Sequence, residues 1–273
     1  MRKAVALLLA VGLLLALAGC AQKAEQSAPA PAPAAQQPPP EPEKPVIKVG
    51  TEAAYPPFEW VDEKTGELKG FDMDLIRAIA EEAGFKADIR NMAWDGLIPA
   101  LLAKEIDIII SGMTITDERA LAVTFSDPYF KSGQVIMSHK DAGIKGPDDL
   151  AGKDVSVQVN TTGQYAMEKL NEKFKGEGKK LVNIKKFKST PDAINEVKVG
   201  GAVACVLDLP VAVEHMKANP GDPFVIGEPI NVEYLGMAMR KEDTELHAKV
   251  NRALAALKTS GKYDQLYAQY FGK

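Results

Sequence analysis

The chain is poor in the side chains that build covalent or metal chemistry. Its 273 residues include only two cysteines, Cys20 and Cys205, and three histidines, His139, His215 and His247, spread along its length. Two cysteines allow one disulfide at most, and no Cys/His spacing suits a zinc site. No metal and no cofactor are expected, and no nucleophile–base pair or phosphate-binding glycine loop stands out. Positive charge is also short: 33 Lys and Arg face 37 Asp and Glu, a formal net charge of −4. A nucleic-acid partner would want a basic face, so none is expected. The apolar run Ala4–Ala18 is shorter than the ~20 residues a membrane-spanning helix needs. What is present, 46% hydrophobic and 26% charged residues, is the balance of a soluble globular protein.

Arg2-Lys3 followed by Ala4–Ala18 reads as a secretory signal over residues 1–19. Its end, Leu17-Ala18-Gly19-Cys20, resembles a bacterial lipobox, which implies cleavage before Cys20, a lipid on its sulfur and attachment to a membrane. Loss of Arg2 and Lys3 would take the mature chain from −4 to −6. Residues 20–45 are Ala, Pro, Gln and Glu with almost no bulky apolar side chain, so they form a tether, with prolines favouring polyproline II at about 3.1 Å per residue. Cys205 lies in Ala202-Val203-Ala204-Cys205-Val206-Leu207 and reads as a small buried hydrophobe. A lipid on Cys20 would leave it without a disulfide partner.

From residue 46 strands and helices alternate. Val46–Gly50 is an expected strand, and Pro56-Pro57 forces a loop after it. Asp72 is expected to cap a helix carrying Leu75, Ile76, Ile79 and Ala83 on one face and ended by Gly84. Strands at 85–90 and 106–110 flank a helix at 96–104, a βαβαβ order that calls for a mainly parallel sheet under helices. A second set follows, with strands at 155–159, 181–187 and 202–207, then a strand at 234–239 and a long helix at 243–257. This is an α/β chain of two lobes.

Ser111-Gly112-Met113-Thr114-Ile115-Thr116-Asp117-Glu118-Arg119 occupies the end of the apolar strand Ile106–Ile110 and feeds a helix. Ligands of open α/β sheets sit beyond the carboxyl ends of strands. The planar donor fork of Arg119 suits a carboxylate held by two parallel hydrogen bonds. Thr161 and Thr162 stand at a helix start, where free N–H groups favour an anion. Asp208 stands at the end of a strand.

The ordered set Gly70-Phe71-Asp72-Met73-Asp74-Leu75, Trp94-Asp95-Gly96-Leu97-Ile98-Pro99-Ala100-Leu101, Gly112-Met113-Thr114-Ile115-Thr116-Asp117-Glu118-Arg119 and Phe125-Ser126-Asp127-Pro128-Tyr129 resembles the polar amino-acid-binding proteins of ABC importers, the type II periplasmic-binding-protein fold, from about residue 46 to the C-terminus. The resemblance implies a non-enzymatic monomer that delivers a free amino acid to the importer's membrane subunits. It implies lobe 1 at 46–133 plus 234–273, lobe 2 at 139–228, and a hinge at 134–138 and 229–233. It implies that Thr114, Arg119 and Thr162, with the amides beside Thr161, take the ligand's carboxylate. Asp208 and backbone oxygen near Ser111 or Gly112 would take its ammonium, and Tyr55 and Trp94 would stack on its side chain. Glu52 and Gln158 would read the tip, which orders the expected ligands as arginine, then lysine or histidine, then glutamine. Asn160 departs from the family's usual glycine, but Asn best tolerates a left-handed backbone after glycine. Two alternatives stand beside this one. A cyclohexadienyl dehydratase-like enzyme on the same scaffold would need a carboxylic acid in the cleft with a raised pKa, with Glu52 and Asp208 as candidates. A ligand-sensing domain would work through a membrane partner.

Overall fold

The computed structural model describes residues 43–272; the secretory signal, Cys20 and the tether up to residue 42 lie outside them. No helix among the described residues is long and apolar enough to cross a membrane.

The first half runs β1 (Val46–Thr51), a small three-stranded flap of β2 (Ala54–Tyr55), β3 (Glu59–Val61) and β4 (Leu68–Lys69), α1 (Phe71–Ala83) and β5 (Lys86–Asn91). A 3-10 turn at Trp94–Gly96 leads into α2 (Leu97–Leu102), followed by β6 (Ile108–Ile109), the one-turn helix α3 (Asp117–Ala120) and β7 (Thr124–Phe125). Leu75, Ile76 and Ile79 recur at helical spacing and are fully buried beneath β1 and β6 with Val49 and Ile108. Gly84, left-handed at φ 75°, ends α1. Asp72, expected to cap α1, does not: Gly70 holds that position, and the Asp72 side chain is buried instead. Gly70 is there because a Cβ would stand 2.1 Å from the Phe58 carbonyl oxygen.

After β8 (Phe130–Ser132) comes the second half: β9 (Gln134–His139), β10 (Asp154–Gln158), α4 (Thr162–Gly176), β11 (Asn183–Phe187), α5 (Thr190–Lys198), β12 (Ala204–Asp208), α6 (Leu209–Ala218) and β13 (Phe224–Ile226). The chain returns through β14 (Glu233–Leu235) and β15 (Ala238–Met239) and finishes with α7 (Thr244–Thr259) and α8 (Lys262–Phe271).

Two five-stranded sheets result, ordered β5-β1-β6-β15-β7 and β11-β10-β12-β9-β13. In each the first three strands are parallel, as the βαβ order requires, and the fourth, β15 or β9, runs antiparallel to both its neighbours. Between the sheets lies one short antiparallel ladder, β8 with β14, pairing Ser132 with Glu233 and Phe130 with Leu235. The crossings therefore sit at 130–132 and 233–235. Residues 134–138, expected as a crossing, belong to β9 inside the second sheet. The strand expected over 234–239 is broken at Gly236, where a Cβ would press within 2.8 Å of the Ile115 side chain; its halves join different sheets. Arg240 fastens the returning chain, donating to the Leu101 carbonyl at 3.0 Å, to the Ile106 carbonyl and to Asp107 at 2.7 Å, all buried or nearly so.

Candidate functional site

The carboxyl ends of both parallel sets point at the space between the sheets, and a small cavity of about 20 Å³ lies there. All eleven residues singled out from the sequence line it, in three groups, and Glu59 joins them.

Arg119, Thr114, Thr161 and Thr162 form the first wall. Thr116 caps α3 by accepting from the Arg119 amide at 3.2 Å, which turns the Arg119 side chain back under the strand-end loop. Its Nη1 donates to the Thr114 carbonyl at 2.8 Å and its Nη2 to the Asn160 carbonyl at 3.0 Å. The guanidinium lies 5.1 Å from the centre of the Trp94 ring, within cation–π range. Burial pulls its pKa down. Asn160 adopts the left-handed conformation, φ 58°, and so turns its carbonyl toward lobe 1, where it also accepts from Trp94 Nε1 at 3.2 Å. Thr161 caps α4 by accepting from the Gln164 amide at 3.3 Å, and the start of that helix, Thr161 and Thr162, lines the cavity. The Thr114 and Thr162 hydroxyls both donate to Glu233 Oε2, at 2.8 and 2.9 Å.

Asp208 and Tyr55 form the second wall. Asp208 occupies the N-cap position of α6 but makes no capping bond. Its two oxygens accept from the Tyr55 and Ser132 hydroxyls, each at 2.6 Å. Burial, and after it the negative charge of Glu233, pushes its carboxyl up to about 6. Tyr55 also stacks on Phe58, 6.2 Å between ring centres. Gly112 passes beside this ring with φ 54°, and a Cβ there would stand 3.1 Å from it.

Glu52 and Gln158 form the third. The Gln158 amide is locked: its nitrogen donates to Glu52 Oε2 at 2.7 Å and to the Lys188 carbonyl at 2.9 Å, and its oxygen accepts from the Thr190 hydroxyl at 2.7 Å. Turning it over would set its oxygen against a carboxylate and a carbonyl. Both amide hydrogens are thereby used, and the anionic Glu52 dominates this end of the cavity. Burial raises the Glu52 pKa, and the Gln158 hydrogen bond works against that. The Glu52 amide donates to Ser111 Oγ at 2.9 Å, which ties this wall to the strand-end loop.

Several contributors escaped the sequence reading. Glu59 lies in the cavity wall on β3, whose pattern is inverted: Glu59 is buried and Val61 exposed. The two are two residues apart and share a face, so alternation gave no sign of the difference. Thr190, Ser132 and Glu233 act through bonds to residues far away in the chain and left no local mark, while Asn160, noted for its tolerance of a left-handed backbone, adds a carbonyl acceptor that the sequence did not announce.

A family model described as "Bacterial extracellular solute-binding proteins, family 3" matches residues 47–273. A probable histidine-binding protein of Neisseria gonorrhoeae is 37% identical over 231 residues, 84% of each chain. Among solved structures, an ancestral arginine-binding protein bound to arginine shares 43% identity, covering 84% of this chain and 99% of that one with a TM-score of 0.78. The arginine-, lysine-, histidine-binding protein ArtJ of Geobacillus stearothermophilus shares 42%, covering 85% and 96%, with a TM-score of 0.76.

Proposed function

Because this chain belongs to the bacterial extracellular solute-binding proteins of family 3, we propose that it captures free arginine outside the cytoplasm and hands it to the membrane subunits of an ABC importer. One observation carries the choice of ligand: a single cavity holds the charges of Arg119, Asp208 and Glu52 on three separate walls. A ligand that neutralises all three carries one anion and two cations, which is the charge pattern of a basic amino acid. The carboxylate would lie against Arg119 and the amides of Thr114 and Thr162, the ammonium against Asp208, and the guanidinium against Glu52. Lysine and histidine carry a weaker or smaller cation to Glu52, and glutamine carries none. Glutamate would bring a second anion toward Glu52 and be rejected.

Bonds across the cleft, from Arg119 and Trp94 to the Asn160 carbonyl and from Tyr55 to Asp208, join the halves on either side of the β8–β14 ladder. We read that ladder as a hinge and closure as ligand-driven, since only contacts made in the closed form can favour it. We further propose a monomer without catalytic activity, held to the membrane by a lipid on Cys20 and the tether that follows.

A thermal-shift screen of the wild type and Glu52→Ala against the twenty amino acids tests the reading. Arginine is expected to stabilise the wild type most and to lose its lead in Glu52→Ala. Indifference of the wild type to every amino acid overturns it.

A further inference from the structure

Two carboxyl groups deep in lobe 1 take no part in the ligand scheme above. Glu59 and Asp72 are both fully buried and lie within hydrogen-bond reach of each other. Each has one oxygen bonded to the rest of the protein. Glu59 Oε1 accepts from the Ser111 hydroxyl at 2.9 Å; Asp72 Oδ2 accepts from the Gly112 amide at 2.8 Å and from the Tyr129 hydroxyl at 2.7 Å. Each also has one buried oxygen, Glu59 Oε2 and Asp72 Oδ1, with no donor from the rest of the protein. Two ionised carboxylates cannot satisfy one another, since each only accepts. The titratable groups acting on the pair are Glu52, Tyr55, Tyr129 and Tyr263, and none of them is a cation.

We infer that Glu59 and Asp72 share one buried proton, and that this acid pair is the positioning device for the Ser111–Gly112 loop that faces the ligand. Glu59 holds the proton on Oε2 and donates it to Asp72 Oδ1. Its other oxygen fixes the Ser111 hydroxyl, and Asp72 fixes the Gly112 amide. The loop is thereby held from two sides at its left-handed glycine, with its backbone turned toward the cavity. Burial and the facing carboxylate push Glu59 well above the usual carboxylate range, and burial pushes Asp72 up to about 7, in keeping with a retained proton. The pair also leaves the cavity wall beside Glu52 neutral at Glu59, so the ligand's cations meet only Asp208 and Glu52. This last point rests on the amino-acid reading; the shared proton does not.

An amide can imitate a protonated acid but not an ionised one, and Glu59→Gln uses that difference. Its NH2 can donate to Asp72 and its oxygen can accept from Ser111, so Glu59→Gln is expected to bind arginine within about threefold of the wild type. Glu59→Met, which can do neither, is expected to weaken binding about tenfold or more. Without ligand, the wild-type folding constant is expected to fall about tenfold per pH unit relative to Glu59→Gln above about pH 5, because the folded wild type keeps a proton that the unfolded chain has lost. Infrared spectra of the wild type at pH 8 are expected to retain a protonated-carboxyl C=O band that Glu59→Gln lacks. No such band, parallel pH profiles, or equal loss of binding in Glu59→Gln and Glu59→Met overturns the inference. The band and the pH profile decide it even if no amino acid binds the wild type, an outcome that would overturn the ligand reading alone.

Discussion

Replacing Asp208 by Asn separates binding from stability, because the carboxylate that would hold the ligand's ammonium destabilises the empty fold. Asp208 is fully packed between Tyr55 and Ser132, and burial raises its carboxyl from 3.8 to about 6. A carboxyl raised in this way holds its proton more tightly in the folded than in the unfolded chain. As pH climbs from about 3.8 to 6 the unfolded chain ionises first, so the fold loses about 3 kcal/mol, and that loss is complete at pH 7. Asn at 208 removes the charge. It also sets an NH2 against one of two hydroxyls that previously donated, which costs about 1 kcal/mol. Asp208→Asn is therefore expected to be more stable than the wild type at pH 7 by about 2 kcal/mol in urea unfolding without ligand, and equal to it or weaker below pH 4. Binding should move the other way. A buried ammonium that loses its partner costs about 3–5 kcal/mol, or roughly a hundred- to several-thousandfold in the arginine Kd measured by calorimetry. The wild type itself should bind arginine about tenfold more weakly for each pH unit below about 6, as Asp208 takes up its proton. A variant that binds arginine within tenfold of the wild type, or one clearly less stable at pH 7, refutes the reasoning.

Glu52→Gln keeps the shape of the tip and removes its charge; arginine should bind roughly 10- to 100-fold more weakly while glutamine changes by less than about threefold, read by calorimetric titration. Arg119→Ala should abolish binding of every amino acid alike, since it faces the group they share, and a thermal-shift screen that still ranks arginine first would contradict that. Trp94→Phe removes the bond to the Asn160 carbonyl but keeps a ring under Arg119, so affinity should fall several-fold by the same factor for all ligands. The Cys205 thiol is buried and pushed up to about 12, so a thiol reagent at pH 8 should react with it only as the protein unfolds.

Much of this architecture is legible along the chain because it is written in short-range signals. Buried parallel strands appear as β-branched runs, as at Ile106–Ile110, and helices as apolar spacing ended by a left-handed glycine, as at Gly84. Of the cavity residues, Trp94, Gly112, Thr114 and Arg119 stand in the quoted motifs and Thr161, Thr162 and Asp208 at a helix start or strand end, whereas Glu52, Tyr55 and Gln158 were placed only by the family resemblance. Three things were not legible. Asp72 resembles a cap because an acid in a first turn usually is one, and only the tertiary contact with Gly112 gives it another task. The crossing strands were misplaced because β9 is antiparallel to its neighbours, and the direction of a strand leaves no mark on its own residues. The tip of the pocket was half read: Gln158 could donate or accept until Thr190 and the Lys188 carbonyl, 32 and 30 residues further on, fixed its amide.

The threonines show that lining the cavity does not by itself fix what a side chain would do to a ligand. From the sequence, the Thr114 hydroxyl is a donor to the ligand's carboxylate. In the structure, that hydroxyl and the one on Thr162 converge from opposite lobes on a single oxygen of Glu233, which belongs to the connecting ladder. A carboxylate only accepts, so both hydroxyl hydrogens point at Glu233 and only lone pairs are left for an incoming anion. Gln134 and Asn231 bond the same carboxylate, at 3.3 and 2.8 Å, and hold it in place. On the function proposed above, the ligand's carboxylate would then be held by the Arg119 fork and by backbone N–H groups, which substitution of a threonine side chain leaves intact. Thr162→Val should accordingly weaken arginine less than about tenfold, where Arg119→Ala costs more than a hundredfold. Its larger effect should fall on the clasp between the lobes, seen as a faster arginine off-rate with little change in on-rate. A loss in Thr162→Val as deep as that of Arg119→Ala would mean that the hydroxyl leaves Glu233 for the ligand, and that the connecting strand is free to let it go.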